Sequence, residues 1–479
     1  MTTSISPESR IYGSWLGKSI GGTLGLPAEG VTERLNFSFY DPIPTVAPPN
    51  DDLELQLAWL HVLETRGFDL SQDDMARAWL DHIHYMWDEY GRCRWNLRRG
   101  VPSNEAGTFE NPFVSGMGSP IRSEIWACVA GGNAQVAAEY ARLDASLDHG
   151  VEGIDGEIYF AVLQTLVLSG ASIADALDRA YIYLDEKSET AQALSLVLEE
   201  HAQGTEAWAA REKLLEKHDN ENFTHAPLNV ALTVWALLYG EGDFERSILL
   251  GVNCGYDTDC TAATVGATLG LALGREGIPT HWSAPIGEGV FVGPGIIGAH
   301  VPTTLTELTN RTISLMDALE REPNAPRIGY TGPKNDVDVA TLPGTIELHP
   351  LGGGAPVKWS NGELPESVKR AGGATWTWQA GDFERKAMHI MTLSDTGAKL
   401  FADNELLVNC PPDLPYVPAP HRTARGSQVP FVPTKPVFSM RVELGSTDAT
   451  ARASVVLSES NFHLAPWTGQ TLPFKPVLD

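Results

Sequence analysis

Cysteine is scarce, with five in 479 residues: Cys93, Cys128, Cys254, Cys260 and Cys410. The odd number and uneven spacing exclude a disulfide framework, and the lack of a CxxC pair removes the usual start of a structural zinc site. Reduced thiols in a cytoplasm are the expectation. Positive charge is scarce too. Thirty-four Lys and Arg stand against 61 Asp and Glu, a formal net charge of −27. A nucleic-acid or anionic-membrane surface needs clustered cations to displace counterions, so no nucleic acid and no membrane is expected as a partner. Arg92, Arg94, Arg98 and Arg99 are the main local exception. Long apolar runs are missing as well. The most apolar stretch, Ala262 to Leu273, is broken by glycine and falls short of the roughly 18 apolar residues of a membrane span. The opening MTTSISPESR has no basic region leading into an apolar one, so no signal peptide is expected.

What is present supports a packed core: 43% hydrophobic and 20% charged residues, on a length that suits two or three domains. The pattern is helical over residues 1–325. Ser6-Pro7-Glu8 reads as an N-cap, a proline in the first turn and an early acid, followed by Ile11, Trp15 and Ile20 at helix spacing. Further helices are expected over Leu53–Glu64, Met75–Trp87, Asn133–Arg142, Ile158–Leu168, Glu189–His201, Leu228–Tyr239, Thr261–Leu273 and Leu305–Leu319. Glycine recurs every fourth position at Gly17, Gly21, Gly25 and again at Gly266, Gly270, Gly274. Each costs its helix ~1 kcal/mol against alanine, and close helix-on-helix approach is the reading of such a stripe. A Gly/Pro-rich passage from Glu322 to Pro333 reads as a domain seam.

Beyond it, over residues 326–479, the period falls to two. Phe438, Met440, Val442 and Leu444 alternate with Ser439, Arg441 and Glu443, and short runs recur at Thr345–Leu348, Ala374–Trp378, Ile390–Leu393, Glu405–Val408 and Ala453–Leu457. This predicts an all-β antiparallel sandwich, with Pro411 to Pro436 as a proline-rich connection.

Several motifs point nowhere. Gly13-Ser-Trp-Leu-Gly17-Lys18-Ser19 has three residues between its glycines and sits inside a helical period, so it is no phosphate loop. Asp257-Thr258-Asp259 begins like a calcium loop but has Thr268 at position twelve. His82 and His84 lie two apart, on different faces of a helix. The stronger signal is acidic residues opening helices: Asn50-Asp51-Asp52 after Pro48-Pro49, and Asp257-Thr258-Asp259 after Gly255. Taken singly, each is a helix cap. If the two turns meet, four carboxylates gather and call for a cation, and oxygen-only donors select Mg²⁺, Mn²⁺ or Ca²⁺ over zinc.

Gly21-Gly22-Thr23-Leu24-Gly25-Leu26-Pro27-Ala28-Glu29 resembles the Gly-Asp-Ala-Leu-Gly-x-Pro-x-Glu signature of ADP-ribosylglycohydrolases. Asn50-Asp51-Asp52 is similar to that family's Thr-Asp-Asp. Gly251 through Ala263 is similar to its Gly-Gly-Asp-Thr-Asp-Thr-x-Ala-Ala, with Ile278-Pro279-Thr280-His281-Trp282 echoing the Ile-Pro-x-x-Trp that follows. The resemblance covers about residues 8–320 and implies an all-α bundle holding two Mg²⁺ or Mn²⁺ ions. It implies Asp51, Asp52, Asp257 and Asp259 as metal ligands, with Asn50 in the place of a ligating Thr. Cys260 stands where the family has Thr or Ser, and a soft thiol is a poor ligand for Mg²⁺; the second ion is the one this puts in question. Glu29 and Asp257 are the candidate catalytic carboxylates. Glu29, Arg122, Asp148 and His149 are the candidate substrate contacts, with Met117 standing where the pattern around Arg122 has Asn.

The reaction so implied is hydrolysis at the anomeric carbon of a ribofuranosyl-type small glycoside through a metal-positioned water, with Glu29 as general base or acid. An ADP-ribosyl conjugate is the alternative substrate; its pyrophosphate would draw on Arg92 to Arg99 and Arg122. Thirteen tryptophans and the appended β-domain favour the simpler glycoside, although Trp87, Tyr90, Trp95 and Trp126 also read as core. A metal-dependent ADP-ribose-binding module without turnover is the second alternative. The β-domain reads equally as a lectin-like module, a dimerisation surface or a lid, and a homo-oligomer stays open.

Overall fold

The computed structural model describes residues 5–85, 88–321, 332–334, 337–343, 345–359, 362–379, 388–412 and 427–458. Trp87, most of the 322–333 seam and residues 413–426 of the proline-rich connection lie outside them. The chain divides into two compact units, Met1–Ile83 with Val114–Thr331, and His84–Phe113 with Gly332–Asp479.

The first unit is all-α: α1 (Pro7–Gly25), α2 (Asp51–Arg66), α3 (Gln72–His82), then, after α4 (Asp88–Arg98) of the second unit, α5 (Glu124–Val129), α6 (Ala134–Ala145), α7 (Val151–Leu168), α8 (Ile173–Tyr181), α9 (Glu189–Ala202), α10 (Ala207–His218), α11 (Ala226–Tyr239), α12 (Phe244–Asn253), α13 (Thr258–Leu273), α14 (Thr280–Ser283) and α15 (Leu305–Glu320). Helix starts are chemically marked. Ser6 accepts from the Ser9 amide at 3.1 Å ahead of Pro7, as the sequence predicts. Ser71 and Asp74 form a reciprocal capping box on α3. That helix stops at His82, short of the expected Trp87, because Ile83 turns extended and bridges Ile296.

The core of this unit is aromatic. Trp15, Trp59, Trp79, Trp126, Trp235 and Trp282 are fully buried side chains, so these tryptophans are packing elements and not a sugar-binding platform. Buried charge sits among them. Asp155 on α7 is buried and accepts from the Asp185 amide at 3.0 Å, yet desolvation lifts its pKa to about 6. A carboxyl whose folded pKa is raised adds stability below its unfolded value near 3.8 and loses it as pH rises through about 6. Asp155→Asn is therefore expected to stabilise the protein by about 2 kcal/mol at pH 8, on 1.36 kcal/mol per pKa unit less a weakened hydrogen bond, and by nothing at pH 4. Thermal melts at the two pH values check the sign.

Among its described residues the second unit holds ten strands: β1 (Ile346–Pro350), β2 (Val357–Trp359), β3 (Gly362–Glu363), β4 (Gly373–Gln379), β5 (Met388–Ser394), β6 (Ala398–Ala402), β7 (Glu405–Cys410), β8 (Gln428–Phe431), β9 (Val437–Leu444) and β10 (Ala453–Ser458), with α4 and the short α16 (Glu366–Arg370). They form two antiparallel sheets, ordered β2-β1-β4-β9-β6-β7 and β3-β10-β5-β8. One core serves both, with Leu348, Trp376 and Val442 from the first sheet and Ile390 and Val455 from the second. Trp376 and Trp378 pair opposite Met440 and Phe438 and are each 2% exposed, so their shared face is the sandwich interior. The arginine cluster turns inward here too. Arg92, Arg94 and Arg99 are buried; Arg92 donates to Glu110 at 3.1 Å and Arg99 to the Pro343 carbonyl at 2.7 Å.

Candidate metal centre

Glycine sets the register of the site. α1 and α13 run antiparallel with Gly13, Gly17, Gly21 and Gly25 facing Gly270, Gly266, Ala262 and Thr258. A β-carbon on Gly17 would collide with the Gly266 carbonyl, and one on Gly21 with the Ala262 carbonyl, so the two backbones are in contact. The two stripes are one helix–helix seam. At its end the Thr258 hydroxyl donates to the Gly25 carbonyl at 2.8 Å. Beyond Gly25 a short 3₁₀ turn, Leu26–Ala28, delivers Glu29. The Gly30 amide then donates to the Tyr256 carbonyl at 3.0 Å and the Tyr256 amide to the Val31 carbonyl at 2.8 Å. Glu29 and Asp257 each stand one residue from those rungs. The left-handed pair Gly255 and Tyr256, φ 78° and 66°, turns the chain so that Asp257 opens α13.

The other aspartate turn arrives on α2. Asn50 is its N-cap, the side-chain oxygen accepting from the Asp52 amide at 2.7 Å. The amide nitrogen of the same side chain donates to Asp259 Oδ2 at 3.1 Å. The two helix N-termini thus meet, the step that spacing alone leaves open. Asp52 faces inward, 1% exposed, while Asp51 is half-buried on the same turn.

Two overlapping clusters result. Glu29, Asp257 and Asp259 bring one carboxylate oxygen each within 4.8 Å of one another; Asp52, Asp259 and Cys260 do the same with two carboxylates and a thiol. Asp259 belongs to both. Its Oδ1, like Asp52 Oδ1, is buried with no hydrogen-bond partner among the described residues, a position in which a carboxylate oxygen is open to a cation. The first cluster is all oxygen and suits a hard divalent ion. The second is not. Burial, then the charges of Asp257, Asp259 and Asp52, push the Cys260 thiol well above its ordinary pKa, so it stays S–H and donates to Asp52 Oδ2 at 3.6 Å. Burial also raises Asp259, against the hydrogen bond from Asn50, and raises Asp52 well above the carboxylate range, against the opposing pull of Lys18.

Lys18 is the residue that sequence reasoning passed over. It is 1% exposed on α1, donating to the Ile121 carbonyl at 2.6 Å and to Glu124 at 3.2 Å, with Asp52 Oδ1 at 3.6 Å. Burial pulls the ammonium toward neutrality, but Glu124 and Asp52 outweigh it and its pKa stands above the usual lysine value. Glu124 is held in turn by Gln56 at 2.8 Å and Gln164 at 3.0 Å. A pocket opens here, lined by Lys18, Gly22, Asn50, Asp52, Val290 and Phe291 among others.

Arg122, Asp148 and His149 are placed differently. All three are fully buried. Arg122 donates to Asp144 at 3.0 Å, to Asp148 at 2.7 and 2.9 Å and to the Gly118 carbonyl at 2.9 Å; His149 Nδ1 lies 2.8 Å from Asp148 Oδ1. Arginine and histidine beside it hold Asp148 low, at about 2, against the upward push of burial. This is a buried ion cluster in which the Arg122 fork is already engaged with carboxylates, Glu157 lying a further 3.9 Å from its Nε.

An all-helical domain that gathers carboxylates at two helix N-termini, beside a pocket, is a candidate metal-binding domain. The family model for ADP-ribosylglycohydrolase matches residues 3–323, and the chain belongs to that family. Membership carries the coarse activity, a hydrolase. A protein of Archaeoglobus fulgidus described as uncharacterized is 25% identical over 325 residues, covering 64% of this chain and 99% of that relative. A solved structure titled ADP-ribosylglycohydrolase-related protein complex superposes with a TM-score of 0.46 at 23% identity, covering 65% of this chain and 98% of its own. Among the described residues, no helix is long and apolar enough to cross a membrane.

Proposed function

We propose that the helical unit is a Mg²⁺- or Mn²⁺-dependent hydrolase that cleaves an N- or O-glycosidic bond at the anomeric carbon of a ribofuranosyl-type small substrate. The carrying observation is the all-oxygen cluster of Glu29, Asp257 and Asp259, whose Asp259 also belongs to the cluster of Asp52, a residue lining the pocket. A bound divalent ion supplies Lewis acidity and draws the pKa of an attacking water toward neutrality. The chain's own residues do the rest. Asp257 and Asp259 hold the ion's charge at the buried end. Glu29, half-buried at the cluster's edge, takes the proton of the incoming water or returns one to the leaving oxygen or nitrogen. Asp51 adds negative potential that favours the oxocarbenium-like state.

The smaller substrate is favoured because two of the arginines expected to receive a diphosphate, Arg92 and Arg122, are engaged with Glu110, Asp144 and Asp148. Family membership favours the second reading, an ADP-ribosyl conjugate.

A mass-spectrometric hydrolysis panel with Mg²⁺, Mn²⁺ or EDTA separates them. Metal-dependent release of a free sugar supports the proposal. Release of ADP-ribose moves the assignment to the second reading. Retained ADP-ribose binding without turnover of any compound makes the unit a binding module. Glu29→Gln, which keeps an oxygen ligand, is expected to lower kcat by about 10²–10⁴-fold at saturating Mn²⁺. Turnover within a few-fold of the parent protein would remove Glu29 from proton transfer.

A further inference from the structure

Resting on that metal-dependent reading, we infer that the centre takes a single divalent ion, at Glu29, Asp257 and Asp259, and that the Lys18 ammonium is the permanent cation of the other half. An ammonium in ion-pair contact and two hydrogen-bond donors face the carboxylates there. Lys18 Nζ lies 3.6 Å from Asp52 Oδ1, the Cys260 S–H lies 3.6 Å from Asp52 Oδ2, and the Asn50 amide nitrogen lies 3.1 Å from Asp259 Oδ2. A metal ion needs lone pairs aimed at it, and each of these groups aims a proton. The orientation of Asn50 is fixed by its other end, since its oxygen accepts from the Asp52 amide as the helix cap.

Charge completes the argument. Asp52 and Glu124 are both about 1% exposed or less, and two buried carboxylates without a cation are costly. Lys18 stands between them, 3.1 Å from Glu124 Oε2 and 3.6 Å from Asp52 Oδ1, with the Ile121 carbonyl as a further acceptor at 2.6 Å. The Ile121 carbonyl and Glu124 take its hydrogen bonds, and Asp52 Oδ1, beyond hydrogen-bond distance, is its ion-pair contact. The lysine lies in the wall of the pocket, so a substrate hydroxyl there meets a fixed ammonium where a second ion would otherwise stand.

Metal content decides the matter. Full-length protein, stripped with EDTA and titrated with MnCl₂, is expected to bind one Mn²⁺ per chain by equilibrium dialysis and to give a mononuclear Mn²⁺ spectrum by electron paramagnetic resonance. Two ions with a spin-coupled spectrum would overturn the inference and leave the metal-dependent reading standing. No bound ion would overturn both. Lys18→Met is expected to raise the count to two; a count that stays at one would show that Lys18 is not the substitute cation. If Lys18→Met folds only in the presence of Mn²⁺, seen by circular dichroism, the same replacement is being read through stability. If it does not fold under either condition, the count on the parent protein is the deciding measurement.

Discussion

Asp259→Asn is expected to lower metal-dependent turnover on the order of 10³-fold or more, because several kcal/mol of transition-state stabilisation pass through the ion it holds. Asp259 is the carboxylate common to both clusters, and its Oδ1 has no other partner among the described residues. The same substitution should leave the metal-free fold intact. Asparagine keeps an oxygen for the Asn50 amide, now 3.1 Å away, and removes a buried charge whose pKa desolvation raises. A raised folded pKa means stability gained below the unfolded value and lost as pH climbs through the folded one, so the neutral variant should melt at or above the parent at pH 8 without metal. Mn²⁺ should then raise the parent's Tm and leave the variant's unchanged, because an ion at 100 times its Kd adds about 2.7 kcal/mol to any state that binds it. A variant that still gained stability from Mn²⁺ would place the ion elsewhere.

The parts of this site differ in how readable they are from the chain. Asn50-Asp51-Asp52 and Asp257-Thr258-Asp259 announce themselves as helix starts, and the structure opens α2 and α13 there. The glycine stripes likewise read as helix contacts. What spacing does not contain is that the two stripes are each other's partners, which is the fact that brings both turns together. Lys18 left a fainter trace. Ile11, Trp15 and Lys18 follow the i, i+4, i+7 face of α1, so a lysine stands where an apolar residue is due; its partners, Glu124 and Gln56, are distant in the chain. Of the helices that sequence reasoning missed, α8 and α12 carry ordinary N-caps, Ser172 and Asp243, and were legible, whereas α10 and α4 lack the usual marks. α10 is capped by Glu206 in place of Ser, Thr, Asp or Asn, and α4 is built largely of charged and polar residues without an apolar stripe. In the β unit, β2 and β3 are three and two residues long, too short for alternation to register. The tryptophans misled in the other direction, because composition counts rings without saying which way they face.

Gly21→Ala should be among the most damaging single changes in the helical unit, although it adds one methyl group. At that position a β-carbon meets the carbonyl of Ala262 and the backbone nitrogen of Ala263, atoms that cannot rotate away as a side chain would. The seam must open, and overpacking of this kind costs about 1–3 kcal/mol and occasionally more. Alanine's better helix propensity returns only ~1 kcal/mol of that. The consequence extends to the site, since the register of α1 on α13 carries Glu29 to Asp257 and the Thr258 hydroxyl to the Gly25 carbonyl. Mn²⁺ affinity should therefore fall at least tenfold together with a Tm loss of several degrees. Gly67→Ala supplies the contrast. Its β-carbon would meet nothing within 4 Å, while its φ of 84° strains an alanine locally, so it should lower Tm and leave Mn²⁺ affinity unchanged. Equal loss of affinity in both variants would mean that the centre responds to global stability, and that the glycine seam has no particular hold on it.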